Sequence, residues 1–139
     1  MTTNATVLGD ALRLLGVIAE GQSVSAEQGL NALRALNQMM ESWTEDGVEI
    51  GYFAQSDTTA SIPVPAWAEK GVTSKLAQRL QADYPSAQLH PWVHDNSQNG
   101  VGLIDRKCMV ERLRPASMGH MPQGEGSARR GSRIETDGV

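Results

Sequence analysis

Aromatic side chains make up only 4% of this chain: Trp43, Trp67, Trp92, Tyr52, Tyr84 and Phe53. Sandwich and barrel cores draw on aromatic and β-branched residues, so this supply argues against an all-β domain. Cysteine is scarcer still. Cys108 stands alone, which excludes an internal disulfide and fits a reducing compartment. No run approaches the roughly 20 apolar residues of a membrane-spanning helix. Met1-Thr2-Thr3-Asn4 lacks the basic start and apolar run of a secretory signal. A Gly-rich phosphate loop and a nucleophile-elbow serine are also missing. What the 139 residues do supply is 40% apolar content, 20% charged content and a formal charge of −4. That composition fits one acidic, mainly helical domain.

The charge is unevenly spread. Residues 1–113 hold 8 Lys/Arg against 13 Asp/Glu, a net of −5, while residues 114–139 hold 4 Arg against 3 acids, a net of +1. The last 26 residues contain five Gly, two Pro and no aromatic residue. Such a segment buries too little apolar surface to offset its ordering entropy, so it is expected to order only against a partner. The chain therefore divides into a body, 1–113, and an extended C-terminal tail, 114–139.

Within the body, Leu8, Leu12, Leu15 and Ile18 recur at helical spacing and predict a first helix from about Ala5 to Ile18, with Gly16 signalling an early end. Ser25 and Gln28 form a capping-box pair that opens a second helix. Its apolar stripe is Leu30, Leu33, Leu36, Met40 and Trp43, and Asp46-Gly47 stops it. Val48–Phe53 and Thr58–Ile62 read as two short strands joined by a turn at Ser56-Asp57. Pro63 and Pro65 end the second strand, and Pro65 suits the first turn of a helix. Ala68, Val72, Leu76 and Leu80 predict a third helix over about Ala66 to Ala82. A fourth, about Ser86 to Leu113, carries Leu89, Val93, Gly100, Ile104 and Cys108 on one line. Pro91 and the run Asn96-Ser97-Gln98-Asn99-Gly100 predict a kink, a fray or a break within it. The expected fold is mainly α: a small four-helix bundle, a short β-hairpin at about 48–62 between helices 2 and 3, and the extended tail.

Candidate chemistry is thin. His90 and His94, four apart, could face one metal, but zinc needs further ligands and only Cys108 or Asp95 is near in sequence. A surface pair is the simpler reading. Cys108 lies on an apolar helical line, where a structural thiol is the usual outcome. Glu45 and Glu49 could in principle act on a glycoside, yet nothing separates them from a solvated acidic face. No catalytic residue, metal or cofactor is therefore assigned. Helix, loop, helix at the start offers an alternative, a helix-turn-helix DNA-binding protein such as a phage regulator or packaging factor. Its recognition helix would carry Glu27, Glu41 and Glu45 against a single Arg34, and a duplex repels such a surface. Arg129, Arg130 and Arg133 form a basic cluster suited to nucleic acid, to an acidic protein surface or to solubility. Met39 and Met40 fit a core. Met118 and Met121, close to Pro115 and Pro122, have no core of their own and suit an anchor laid into another protein's groove.

An ordered set of segments carries a resemblance. It comprises Ala11-Leu12-Arg13-Leu14-Leu15-Gly16-Val17, Glu20-Gly21-Gln22, Ala32-Leu33 through Leu36-Asn37 to Trp43, and Asp46-Gly47. Pro65-Ala66-Trp67, Leu76-Ala77-Gln78-Arg79-Leu80, Asp83-Tyr84 and the closing Arg114-Pro115 through Met121-Pro122-Gln123-Gly124-Glu125-Gly126-Ser127 complete it. Together they resemble the tail accessory factors of short-tailed phages, the head-to-tail connectors that dock beneath the portal. The resemblance implies a structural virion protein at the portal vertex, assembled in the host cytoplasm as a ring of typically twelve copies. Such a ring closes the channel after DNA packaging and gives a downstream tail protein its mounting surface. It also implies that the tail reaches the portal and neighbouring subunits, which makes Arg114, Pro115, Met118, Met121, Pro122, Arg129, Arg130 and Arg133 the candidate interface residues. Twelve copies at −4 each would total −48, a wall along which double-stranded DNA passes without sequence-specific binding. No membrane partner is implied.

The two readings separate in solution. The connector reading predicts no salt-dependent binding to duplex DNA at micromolar concentration without a portal ring, whereas the helix-turn-helix alternative requires it, as a gel-shift titration in rising salt would record.

Overall fold

The computed structural model describes residues 1–113. Its elements are α1 (Asn4–Leu14), α2 (Ala26–Glu45), α3 (Ala66–Leu80) and α4 (Pro91–Arg112). The start of α2 follows the sequence closely: the Ser25 hydroxyl accepts from the Gln28 amide, and the Gln28 side chain accepts from the Ser25 amide. Both α1 and α2 end on a left-handed glycine, Gly16 (φ 72°) and Gly47 (φ 85°). At each end two reverse hydrogen bonds close the last carbonyls: Gly16 to Arg13 and Val17 to Leu12, Gly47 to Thr44 and Val48 to Trp43. The first helix thus stops four residues short of Ile18, although Leu15 and Ile18 still reach the core through the turned-back segment.

The helices bury Val7, Leu8 and Leu12 from α1, Leu33, Leu36, Met39 and Met40 from α2, Val72, Leu76 and Leu80 from α3, and Val93 and Ile104 from α4. α3 lies at the centre and packs against the other three. Leu30 departs from the expected stripe and is 58% exposed. The inward face of α2 keeps Leu33, Leu36 and Met40 and adds Gly29, Ala32 and Ala35, small residues that a stripe of large apolar side chains leaves out.

α4 corrects two expectations. Pro91 occupies the first helical position rather than the interior, where its missing N–H is no loss and its fixed φ suits the helix. His90 caps the helix, its Nδ1 accepting from the Trp92 amide. The helix then runs unbroken through residues 96–100. Tertiary contact outweighs the poor intrinsic propensity of that run. A Cβ on Gly100 would stand 2.5 Å from the Gly71 Cα, and one on Gly71 would stand 3.0 Å from the Gly100 carbonyl carbon. The two backbones touch where the helices cross. Beside them the wholly buried Ser97 donates to Gln78 Oε1 at 3.0 Å.

The hairpin does not form. Among the described residues there is no strand, only an isolated antiparallel bridge between Thr3 and Ser61. Residues 48–62 spend their polar groups elsewhere. The first amides of α1, which have no partner within the helix, donate to this loop: Asn4 to the Ala60 carbonyl at 2.9 Å and Ala5 to the Thr58 carbonyl at 2.7 Å. The Ile62 amide donates to Thr2 O at 3.0 Å, and the Asn4 side chain donates to Asp57 O at 2.8 Å. Gly51, at φ 83°, turns the first run out of the extended conformation. The segment is a tethered loop that covers the start of α1.

The glycine contact yields a signed pair of expectations. Gly100→Ala should lower stability by about 2 kcal/mol, because the added methyl has no room. Gly102→Ala, in open space on the same helix, should raise it by up to about 1 kcal/mol. Urea unfolding of the two variants beside the parent measures both.

Candidate interaction surface

The end of α4 outruns its support. At about 1.5 Å per residue, 22 residues of α4 span about 33 Å against about 22 Å for the 15 of α3. Burial along α4 ends at Ile104, and Met109, Val110 and Leu113 are 62%, 67% and 75% exposed. This end is nonetheless held in place. The Arg112 guanidinium lies over Gly47, within 2.6 Å of where a Cβ would stand. It thereby brings a cation to the C-terminus of α2, whose own last turn has no basic residue. The Cys108 thiol donates to Glu49 O at 3.5 Å, and Lys107 Nζ sits 4.3 Å from the Trp67 ring centroid, a cation–π contact.

Between α4, the 49–50 loop and the start of α3 lies a groove of about 510 Å³, with Ile50, Pro65, Trp67, Cys108 and Val110 as its less polar wall and Glu49, Arg106 and Glu111 at its rim. The loop that supplies Glu49 and Ile50 is tied to α2 by one half-buried network. The Asn37 side chain donates to Gln55 O at 2.8 Å and accepts from both the Gln55 amide, at 2.9 Å, and the Tyr52 hydroxyl. Burial pushes the Tyr52 hydroxyl up to about 12, since phenolate is poorly solvated there.

The other candidates separate. His90 Nδ1 is engaged by the Trp92 amide, and His94 Nδ1 lies 2.7 Å from Gln78 Nε2. Among the described residues no three His, Cys, Asp or Glu side chains gather as a metal cluster. Cys108 is half-buried at the groove wall rather than sealed in the core. Glu45 and Glu49 are exposed, as are Glu27 and Glu41 on α2. Arg114, Pro115, Met118, Met121, Pro122, Arg129, Arg130 and Arg133 lie outside the described residues, so the tail interface expected from sequence is not tested by this fold. The sequence reading missed Trp67, Met109, Val110 and Leu113. A signal was present: Leu103, Val110 and Leu113 fall at intervals of seven and three, a second apolar line beside the one through Ile104.

Comparison with known families settles the class. A family model described as the P22 tail accessory factor matches residues 1–131. The chain belongs to that family. The match covers the whole described body and continues past Leu113, taking in every tail candidate except Arg133. No curated protein matches the chain. As a P22-type tail accessory factor it is a bacteriophage protein, and no helix among its described residues is long and apolar enough to cross a membrane.

Two measurements test the loop wall. Asn37→Ala leaves the Gln55 backbone groups and the Tyr52 hydroxyl without their partner and should cost about 2 kcal/mol in denaturant unfolding. Tyr52 titrates higher folded than unfolded, so its share of stability is intact below about pH 10 and is lost as pH rises toward about 12. Tyr52→Phe should flatten the fall in urea midpoint over that window.

Proposed function

We propose that this tail accessory factor is a structural head-to-tail connector. Copies of the chain form a ring beneath the portal of a short-tailed phage, close the channel after packaging and present the mounting surface for a downstream tail protein. The family match over residues 1–131 carries this reading. The role is architectural, with no catalytic step and no cofactor. Twelve copies and residence at the portal vertex belong to the same proposal.

Two physical features support it. The body is acidic, −5 over residues 1–113, and an acidic wall lets a packaged duplex slide where a basic one would hold it. The exposed acids of α2 likewise favour a connector over a helix-turn-helix protein, whose recognition helix would have to approach phosphates. The second feature is the arrangement at the end of α4, where exposed apolar residues lead directly into the 26-residue tail. In this reading Met118, Met121 and Pro122 anchor that tail, while Arg114, Pro115, Arg129, Arg130 and Arg133 contribute to the portal and subunit interfaces.

The described residues, 1–113, contain a contiguous hydrophobic core, so deleting Arg114–Val139 should leave a folded subunit with a normal helical spectrum that no longer sediments with portal rings. Retained attachment of this truncated subunit would remove the anchor role from the tail.

A further inference from the structure

We propose that copies of this chain meet head to tail, the tip of α4 in one subunit seating in a pocket at the start of α2 in the next. This rests on the connector reading and deepens it by naming a body-to-body contact within the ring. Two exposed apolar patches lie at opposite ends of the described body. The first is the tip of α4, where Met109, Val110 and Leu113 stand exposed. The second surrounds Leu30, itself 58% exposed, at a pocket of about 260 Å³ between the starts of α1 and α2. Ala5, Leu8, Val24 and Gly29 give that pocket a mostly aliphatic lining, the kind of surface that receives an apolar anchor.

The subunit keeps the two patches apart. Arg112 sets the tip of α4 over Gly47, just beyond the end of α2. Leu30 lies 17 residues before Gly47, a distance of about 25 Å along the helix. The tip therefore cannot fill its own pocket. A contact between two different patches is heterologous, and it closes into a ring when its rotation permits.

The patches also match in kind. Leu103, Arg106, Val110 and Leu113 follow steps of three, four and three, the spacing with which one helix packs against another. One rim of the pocket is such a helix, α2. Each patch sets a charge one turn from its apolar residue. Glu27, exposed in the first turn of α2, comes three residues before Leu30, and the exposed Arg106 comes four before Val110. Neither has an ion partner among the described residues. Opposite charges beside the apolar contact favour this pairing, whereas two α4 tips face to face would set like charges together.

Disulfide trapping tests the contact, with Cys108→Ser as the background so that only introduced thiols react. Full-length Leu30→Cys and Leu113→Cys subunits, both changed at exposed positions, are mixed in concentrated solution and on portal rings and oxidised mildly. Val110→Cys replaces Leu113→Cys in a second mixture to cover a shift along the helix. Two cysteines join only when their Cα atoms come within about 7 Å. The head-to-tail contact predicts a cross-linked dimer in a mixture and little from any variant alone. Glu27→Arg in the first subunit should slow cross-linking about fivefold, and Arg106→Glu in the second should restore it. Dimers from Leu113→Cys or Val110→Cys alone would overturn the proposal in favour of tip against tip. No cross-link in either mixture, with subunits still sedimenting with portal rings, would overturn the contact and leave the connector reading standing. Failure of the parent to sediment with portal rings removes the connector reading, and the mixtures in solution then decide the contact.

Discussion

The contact of Gly71 with Gly100 sets the position of everything beyond it. Where two helices cross with backbone against backbone, neither can slide or tilt without driving main-chain atoms together, and any side chain at either position would separate them. The crossing fixes α4 on α3. It carries α4 into the core from Val93 to Ile104 and leaves the last two turns of the helix projecting past the bundle. Arg112 over Gly47, Lys107 over Trp67 and Cys108 against Glu49 O then secure the projecting end to the α2 terminus and the loop beside it. The groove is the space these contacts enclose.

The loop between α2 and α3 shows a second economy. Two runs of strand-forming residues face each other across a plausible turn, yet they pair with α1 and with Asn37 rather than with one another. A hairpin alone leaves one edge of each strand unpaired and is marginally stable in water. A helix N-terminus holds amides that need acceptors. Joining the two satisfies both sets of polar groups, and the asparagine on α2 completes the arrangement by bridging Gln55 on both its backbone groups. The same loop carries Glu49 and Ile50 to the groove, so the site inherits its rigidity from a polar network outside the hydrophobic core.

Much of the helical framework was legible residue by residue. The Ser25–Gln28 pair, the left-handed stops at Gly16 and Gly47, and the lines Ala68-Val72-Leu76-Leu80 and Val93-Gly100-Ile104 are local signals, and each reappears in the structure. Family membership was legible as well, through an ordered set of individually weak segments. The groove was not. Its wall combines Pro65 and Trp67 with Ile50, Cys108 and Val110, residues far apart in the chain whose separate readings are a helix start, a strand and a core line.

The sequence by itself determined the helical framework, the Ser25–Gln28 cap, the glycine stops, the lean core and the charge contrast between an acidic body and a slightly basic tail, because these depend on spacing and composition within a few residues. Only the tertiary structure decided that residues 48–62 form a tethered loop, that α4 runs straight through its Asn- and Gly-rich turn, and that its last turns stand exposed. Each of those outcomes turns on a partner distant in sequence. The α1 amides and Asn37 take the loop's hydrogen bonds, Gly71 accepts the close approach of Gly100, and α3 begins too late to cover the last turns of α4.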